Sequence, residues 1–359
     1  MATTMNTFSH TAPSYKLPFS HKPGFLGWIP GTNCALRAFP AACMLYTWGE
    51  RGLELLKKID FVDLGVPSKW TCLFDSVHRR VQVEGVGKSG FFRYRIEACE
   101  EGLVFRSLKG ELRCTIDNKE VRLKKKEPYF IFKRPFVLQP LSRLDLGINK
   151  SPHWHGVTGR SDIVEIIQHW YHIATPSAVP SLSSRSLLGL VVEALQQGKK
   201  ESVLEKLYDF YRAGMTDFFV PKREDDLFLG YDLPLFETPV EELHGIITAC
   251  IRSLFLQEQK GKILLLPCLP KSIPSGRLFR ERLASGHMID MEWRKGKMRR
   301  LWLYAAKDDA IDFVTKPSKK CCVRRGSLRA KKEPHLFRDA LEVRANTFYL
   351  LDNFEETCR

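Results

Sequence analysis

Between positions 70 and 136, apolar and polar residues alternate with a period of two, the pattern of strands with one buried face. Segments 77–83, 91–98, 103–108, 111–116 and 129–132 carry this alternation. Gly87-Lys88-Ser89-Gly90, Glu101-Gly102, Lys109-Gly110 and Asp117-Asn118-Lys119 supply the turn chemistry between them. An antiparallel meander, suited to half of a β-sandwich, is the expected result. Upstream, residues 1–23 are polar and are expected to lack fixed structure. Positions 35–45 have helix-like apolar spacing, and 50–58 read as a short helix.

After position 151 the period lengthens. Segments 162–174, 184–197, 200–212 and 238–259 read as helices, with Gly198 and Gly214 where C-terminal caps belong. The last helix opens on Thr238-Pro239-Val240-Glu241, a capping box with proline at the first helical position. Its apolar face is Ile246, Ile247, Cys250, Ile251, Leu254 and Phe255, and Lys260-Gly261 ends it. Segment 263–266 is a buried strand bounded by Pro267 and Pro270. Segments 287–293 and 297–304 form a hairpin around Arg294-Lys295-Gly296. Short strands follow at 311–315 and 347–351. The expected fold class is α+β: an N-terminal antiparallel β-domain (24–150), a helical middle (151–262) and a C-terminal β-sandwich-like domain (263–359).

Hydrophobic residues make up 44% and charged residues 27% of the 359, which is ordinary for a globular chain. The net charge of +15 is not, and it invites a nucleic-acid or other acidic partner. Segment 316–332, bounded by Lys316 and Lys332, carries eight basic residues and no acid. It reads as a solvated basic linker or as the contact for such a partner. None of the ten cysteines forms a C-x-x-C pair, so zinc-ribbon and redox motifs fail on spacing. No stretch approaches the roughly 18 apolar residues of a membrane span. The N-terminus carries no secretory pattern, so a cytoplasmic protein without membrane contact is expected.

Several residues carry candidate chemistry. Glu241, Glu242 and His244 cluster at the head of the last helix, where Glu241 is assigned to the capping box. Glu242 is the candidate base, and Asp226, in the acidic run Glu224-Asp225-Asp226, is the nearest partner carboxylate in sequence. His153-Trp154-His155 and His169-Trp170-Tyr171-His172 place imidazoles beside aromatics. No Cys, Asp or Glu is interleaved at ligand spacing, so neither a metal nor a cofactor is expected. Trp154, Trp170 and Tyr171 are candidates for an aromatic carbohydrate platform, with core packing as the alternative. Gly85-Val86-Gly87-Lys88-Ser89-Gly90 lacks phosphate-loop spacing and reads as a hairpin turn.

Leu256-Gln257, Gly261, Leu265-Leu266-Pro267-Cys268-Leu269-Pro270, Gly286, Ile289, Trp293, Gly296 and Met298 together resemble one known junction. It is that between the helical barrel and the C-terminal β-domain of glycoside hydrolase family 95, the α-L-fucosidase-like enzymes. The resemblance spans positions 240–304. It implies a glycoside-hydrolase-like protein that contacts carbohydrate, with the family's base aspartate falling near Glu242 and its asparagine near His244. Neither identity is retained. A complete (α/α) barrel needs about twelve helices, and at ordinary helix lengths the middle region holds about four. The resemblance therefore implies a reduced barrel in which catalysis is doubtful. The chain as a whole also resembles proteins of chlamydia-type bacteria. The alternative to carbohydrate contact is a non-catalytic basic protein binding nucleic acid or an acidic partner through 316–332.

Overall fold

The alternation between positions 70 and 136 folds as two facing sheets. The computed structural model describes residues 23–125, 127–136, 138, 142–147, 162–179, 186–216, 218–222, 239–316 and 318–355. The first strands are β1 (Leu26–Trp28), β2 (Cys34–Ala38), β3 (Ala42–Gly49), β4 (Gly52–Phe61), β5 (Ser68–Asp75) and β6 (Arg80–Gly87). They continue as β7 (Gly90–Cys99), β8 (Gly102–Lys109), β9 (Leu112–Ile116), β10 (Lys119–Leu123), β11 (Pro128–Lys133) and β12 (Arg143–Asp145). One sheet has the order β1-β2-β3-β4-β9-β10 and the other β11-β8-β7-β6-β5. Alternate residues Phe92, Tyr94 and Ile96 of β7 point into the space between them. There Tyr94 meets Phe61 of the opposite sheet at 5.0 Å between ring centroids and hydrogen-bonds the Cys43 thiol at 3.0 Å.

Two sequence expectations fail in this region. Positions 35–45 and 50–58 are not helical but belong to β2, β3 and β4. Gly52, at φ +98°, turns β3 back into β4, which then pairs with both β3 and β9. Long-range sheet pairing overrides the helix-favouring Leu, Glu and Lys content of the segment.

Four helices are found among the described residues: α1 (Val164–Tyr171), α2 (Leu187–Gln196), α3 (Lys200–Gly214) and α4 (Val240–Arg252). Ser186 caps α2 by accepting from the Gly189 N–H at 3.0 Å. Gly198, at φ +67°, turns the chain from α2 into α3. The cap proposed at Gly214 is not formed, since α3 includes that residue and ends at Met215 in an extended conformation. Helix α4 stops seven residues before the expected end. The chain turns instead into β13 (Leu256–Gln259), and Lys260-Gly261, both at positive φ, make the two-residue turn to β14 (Lys262–Leu265).

The remaining strands are β15 (Gly276–Arg282), β16 (Met288–Arg294), β17 (Lys297–Ala305), β18 (Asp309–Thr315), β19 (Lys320–Arg325), β20 (Glu333–Leu336), β21 (Leu341–Val343) and β22 (Thr347–Glu355). They form a seven-stranded sheet, β12-β15-β16-β17-β22-β19-β20, and a four-stranded sheet, β13-β14-β18-β21. β12 precedes the helices in sequence yet pairs with β15, which stitches the C-terminal sheet to the first half of the chain. The molecule is thus a β-rich α+β protein, mostly antiparallel, with helices between two sandwich-like β regions. No helix among the described residues is long and apolar enough to cross a membrane.

The middle of segment 316–332 is not a solvated linker. Lys320 to Arg325 form an interior strand of the larger sheet, where Lys320 pairs Glu355 at 3.0 Å and Arg324 pairs Asp352 at 2.9 Å. Arg325 pairs Glu333 at 3.6 Å, so three of the segment's eight basic residues have an ion pair among the described residues.

Candidate functional site

Trp170 and Tyr171 offer no face to a sugar ring, being 0% and 1% exposed. Trp170 is stacked on Phe210 and Phe219, with centroids 6.2 and 5.4 Å away. Tyr171 donates its hydroxyl to the Glu281 carboxylate, so the Ser142 hydroxyl 2.8 Å away must donate to Tyr171. Glu281 also accepts from Arg252 Nε at 2.6 Å, and Arg252 reaches Glu258 at 2.8 Å. This buried chain clamps α1 and the end of α4 onto the C-terminal sheet. The aromatic pair expected to bind carbohydrate therefore builds the core instead. Trp154, with His153 and His155, lies outside the described residues.

His169 and His172 are likewise committed to structure. His172 Nε2 accepts from the Leu144 N–H at 3.0 Å, and His169 lies 3.1 Å from the Gln168 side-chain nitrogen. Burial holds His172 down to about 3 and His169 well below the ordinary imidazole range. Both are neutral and interior.

Glu242 stands exposed in the first turn of α4. Asp226 and its acidic neighbours lie outside the described residues. Thr238, which opens the expected capping box, lies outside the described residues. The N-cap residue is Pro239, which has no N–H for Glu241 to accept from, and no side-chain cap bond is made. Glu241 turns elsewhere.

Glu241 lines a cleft of about 290 Å³ where four pieces of chain meet. Trp28, Gly31 and Thr32 come from the β1–β2 connection, and Arg134 to Phe136 follow β11. Ile173 to Thr175 follow α1, and Glu241 and His244 come from α4. Gly31 N–H donates to Ile173 O at 3.0 Å and holds the first and third pieces together, and Trp28 N–H donates to Phe218 O, beyond α3, at 3.1 Å. Gly245 permits the approach of 173–177 to α4, because a Cβ there would sit 2.6 Å from Ser177 Oγ.

The cleft joins a charged rim to a neutral floor. Arg134 and Glu241 are exposed, whereas His244 is 1% exposed and lies 5.4 Å from the Trp28 ring. Burial lowers the His244 pKa to about 3, offset in part by the backbone of Phe219. Neither ring nitrogen has a hydrogen-bond partner of ordinary geometry among the described residues, and Phe219 can serve only one of the two. Trp28 Nε1 is taken by Thr32 O at 3.0 Å. The Thr32 hydroxyl donates to Ile29 O and accepts from the Cys34 N–H. Cys34 feels both Arg134 and Glu241, yet burial pushes its thiol up to about 12, so it supplies no thiolate nucleophile.

Glu241 is the only carboxylate that lines the cleft among the described residues. Inverting glycoside hydrolysis needs two carboxyl groups about 6.5–9.5 Å apart, and the acidic run 224–226 lies outside the described residues. Sequence reasoning placed His244 in the site and gave Glu241 a structural task. It missed Trp28, Arg134 and Phe136, which no local pattern connects to α4. No protein-family model matches this chain, and comparison with curated proteins returned no match.

Proposed function

We propose that this chain is a glycoside-hydrolase-like protein that binds carbohydrate in the cleft at the head of α4, and that it recognises its ligand rather than hydrolysing it. The observation that carries this reading is His244, buried beside Trp28 with an imidazole nitrogen left for a ligand. An unsatisfied buried polar group costs about 1–3 kcal/mol, which a ligand hydroxyl would recover. A neutral imidazole has one donor and one acceptor, and a sugar hydroxyl, which donates once and accepts through two lone pairs, can meet either. Glu241 accepts and Arg134 donates at the rim. The volume of about 290 Å³ suits one or two sugar rings, at the small end of the range for ligand pockets. Under this reading the four helices are the reduced remnant of an (α/α) barrel, and the resemblance at 240–304 marks descent.

A glycan array run beside aryl-glycoside hydrolysis tests this. Binding on the array without hydrolysis is expected, and Glu241→Gln and His244→Leu should each abolish binding in a chain that still melts cooperatively. Binding of a neutral glycan should barely respond to salt. An empty array, or binding untouched by both substitutions, would reject the cleft.

A further inference from the structure

We propose that one end of the seven-stranded sheet binds the phosphate backbone of a single-stranded nucleic acid. The surface joins two basic segments that the sequence keeps apart. At this end β16 turns into β17 through Arg294, Lys295, Gly296 and Lys297, with Arg294 opposite Lys297. β22 runs between β17 and β19, and its last described residue, Glu355, pairs in register with Lys320 at the start of β19. The Lys319 N–H donates to Glu355 O at 2.8 Å. The hairpin turn and residues 319–320 therefore flank the same strand end. Adjacent strands lie about 4.8 Å apart, so the two groups of cations are separated by about 10 Å.

Between the turn and β22 runs a groove of about 510 Å³, lined by Arg294, Lys295, Lys297, Arg299, Asn353 and Phe354 beside Met298. No acid lines it among the described residues. The nearby carboxylates are already engaged, Glu292 by Arg299 at 2.8 Å and Glu355 by Lys320 at 3.0 Å. Among the described residues Arg294, Lys295 and Lys319 make no ion pair and are exposed. The turn is held in place, with Lys295 and Gly296 at positive φ and the Gly296 N–H donating to Pro274 O at 2.8 Å.

Phe354, stacked on Phe337 with centroids 5.7 Å apart, places an aromatic ring among these cations. A basic groove with an aromatic wall is the arrangement that holds single strands. A membrane surface fits less well, because none of the exposed large apolar side chains lies at this end. Lys331 and Lys332, assigned to the same basic segment by sequence, precede Glu333, which pairs with Val323 further along β19. They sit away from the groove.

The test is fluorescence anisotropy of labelled fifteen-nucleotide dT and rU strands with the full chain, between 50 and 300 mM salt. Affinity should fall linearly on logarithmic axes, with a slope of about 0.7 for each phosphate neutralised. Arg294→Gln/Lys295→Gln should weaken binding at least tenfold at 50 mM and flatten the slope by about 1.4. Lys331→Gln/Lys332→Gln should leave both unchanged, with thermal melts confirming that both variants fold. Absence of binding at 50 mM would overturn the proposal, as would equal losses in the two variants, which signify diffuse attraction. So would preference for vesicles of 30% phosphatidylserine, or for heparin, over the oligonucleotides.

Discussion

The indole of Trp28 and the imidazole of His244 meet with centroids 5.4 Å apart, joining the first strand of the N-terminal sandwich to the last helix. Both side chains are 1% exposed, yet both line the cleft, so they form its floor rather than its rim. The neighbouring glutamates of α4 then have separate fates. Glu242→Gln should change stability by less than about 0.5 kcal/mol and leave ligand binding intact. Glu241→Gln should leave stability equally unmoved and remove binding. Isothermal titration with a glycan identified on the array separates the two, and a binding loss in Glu242→Gln would return that residue to the site.

Gly245→Ala pits two effects against each other. Alanine in a helix interior gains up to about 1 kcal/mol over glycine. Here its Cβ would lie 2.6 Å from Ser177 Oγ, 2.9 Å from Ser177 Cβ and 3.1 Å from Thr175 O. Contact with a carbonyl cannot be relieved by a rotamer change, so the clash should win. A lower melting temperature and weaker ligand binding are expected, with part of the stability restored by adding Ser177→Gly.

The Tyr171–Glu281–Arg252 chain should rank substitutions by the charge left behind. Arg252→Met strands the buried Glu281 carboxylate and should cost about 3–5 kcal/mol. Tyr171→Phe removes one neutral donor and should cost about 1–3 kcal/mol. Urea unfolding checks the order, and equal losses would show that Glu281 finds water when Arg252 is gone.

Acid should destabilise the protein through its buried imidazoles. His244 and His172 titrate near 3 when folded, while an unfolded imidazole titrates near 6.5. Between those values the unfolded chain binds protons that the folded chain refuses, so this contribution is full above about 6.5 and is lost as pH falls toward 3. His244→Leu should flatten the dependence by one proton, about 1.4 kcal/mol per pH unit within that window. Stability from urea titrations at pH 4.5 and 7.5 gives the slope, and an unchanged slope would mean that His244 is protonated in the fold.

Thiol reactivity should follow burial. Cys99 and Cys322 are half-buried, whereas the other seven described cysteines are buried. Burial pushes Cys43 and Cys250 up to about 12 and Cys72 well above its ordinary value. With Cys358→Ser as background, two thiols should react with an aromatic disulfide reagent in the native protein and the other seven only on unfolding. A third fast thiol would expose an opening in a β core.

What could be read from the chain were features with local causes. The β16–β17 hairpin follows from Lys295-Gly296 between alternating residues, and α3 from its apolar spacing after Gly198. The β-rich α+β class and the order of β and α regions followed from the same periods. Positions 50–58 and the end of α4 were misread because their outcome depends on distant partners. β4 is held by β3 and β9, and Arg252 at the end of α4 engages Glu258 and Glu281.

The sequence by itself determined the periodicities, the turns and the excess of positive charge, since each is a property of composition or of neighbouring residues. Only the tertiary structure decided which side chains share an environment. It buried Trp170 and Tyr171, set Glu241 on the rim of a cleft, brought Trp28 to His244 and set Lys319 at the same sheet end as Arg294. Burial and proximity between remote segments depend on how whole sheets and helices pack, and no window along the chain contains that information.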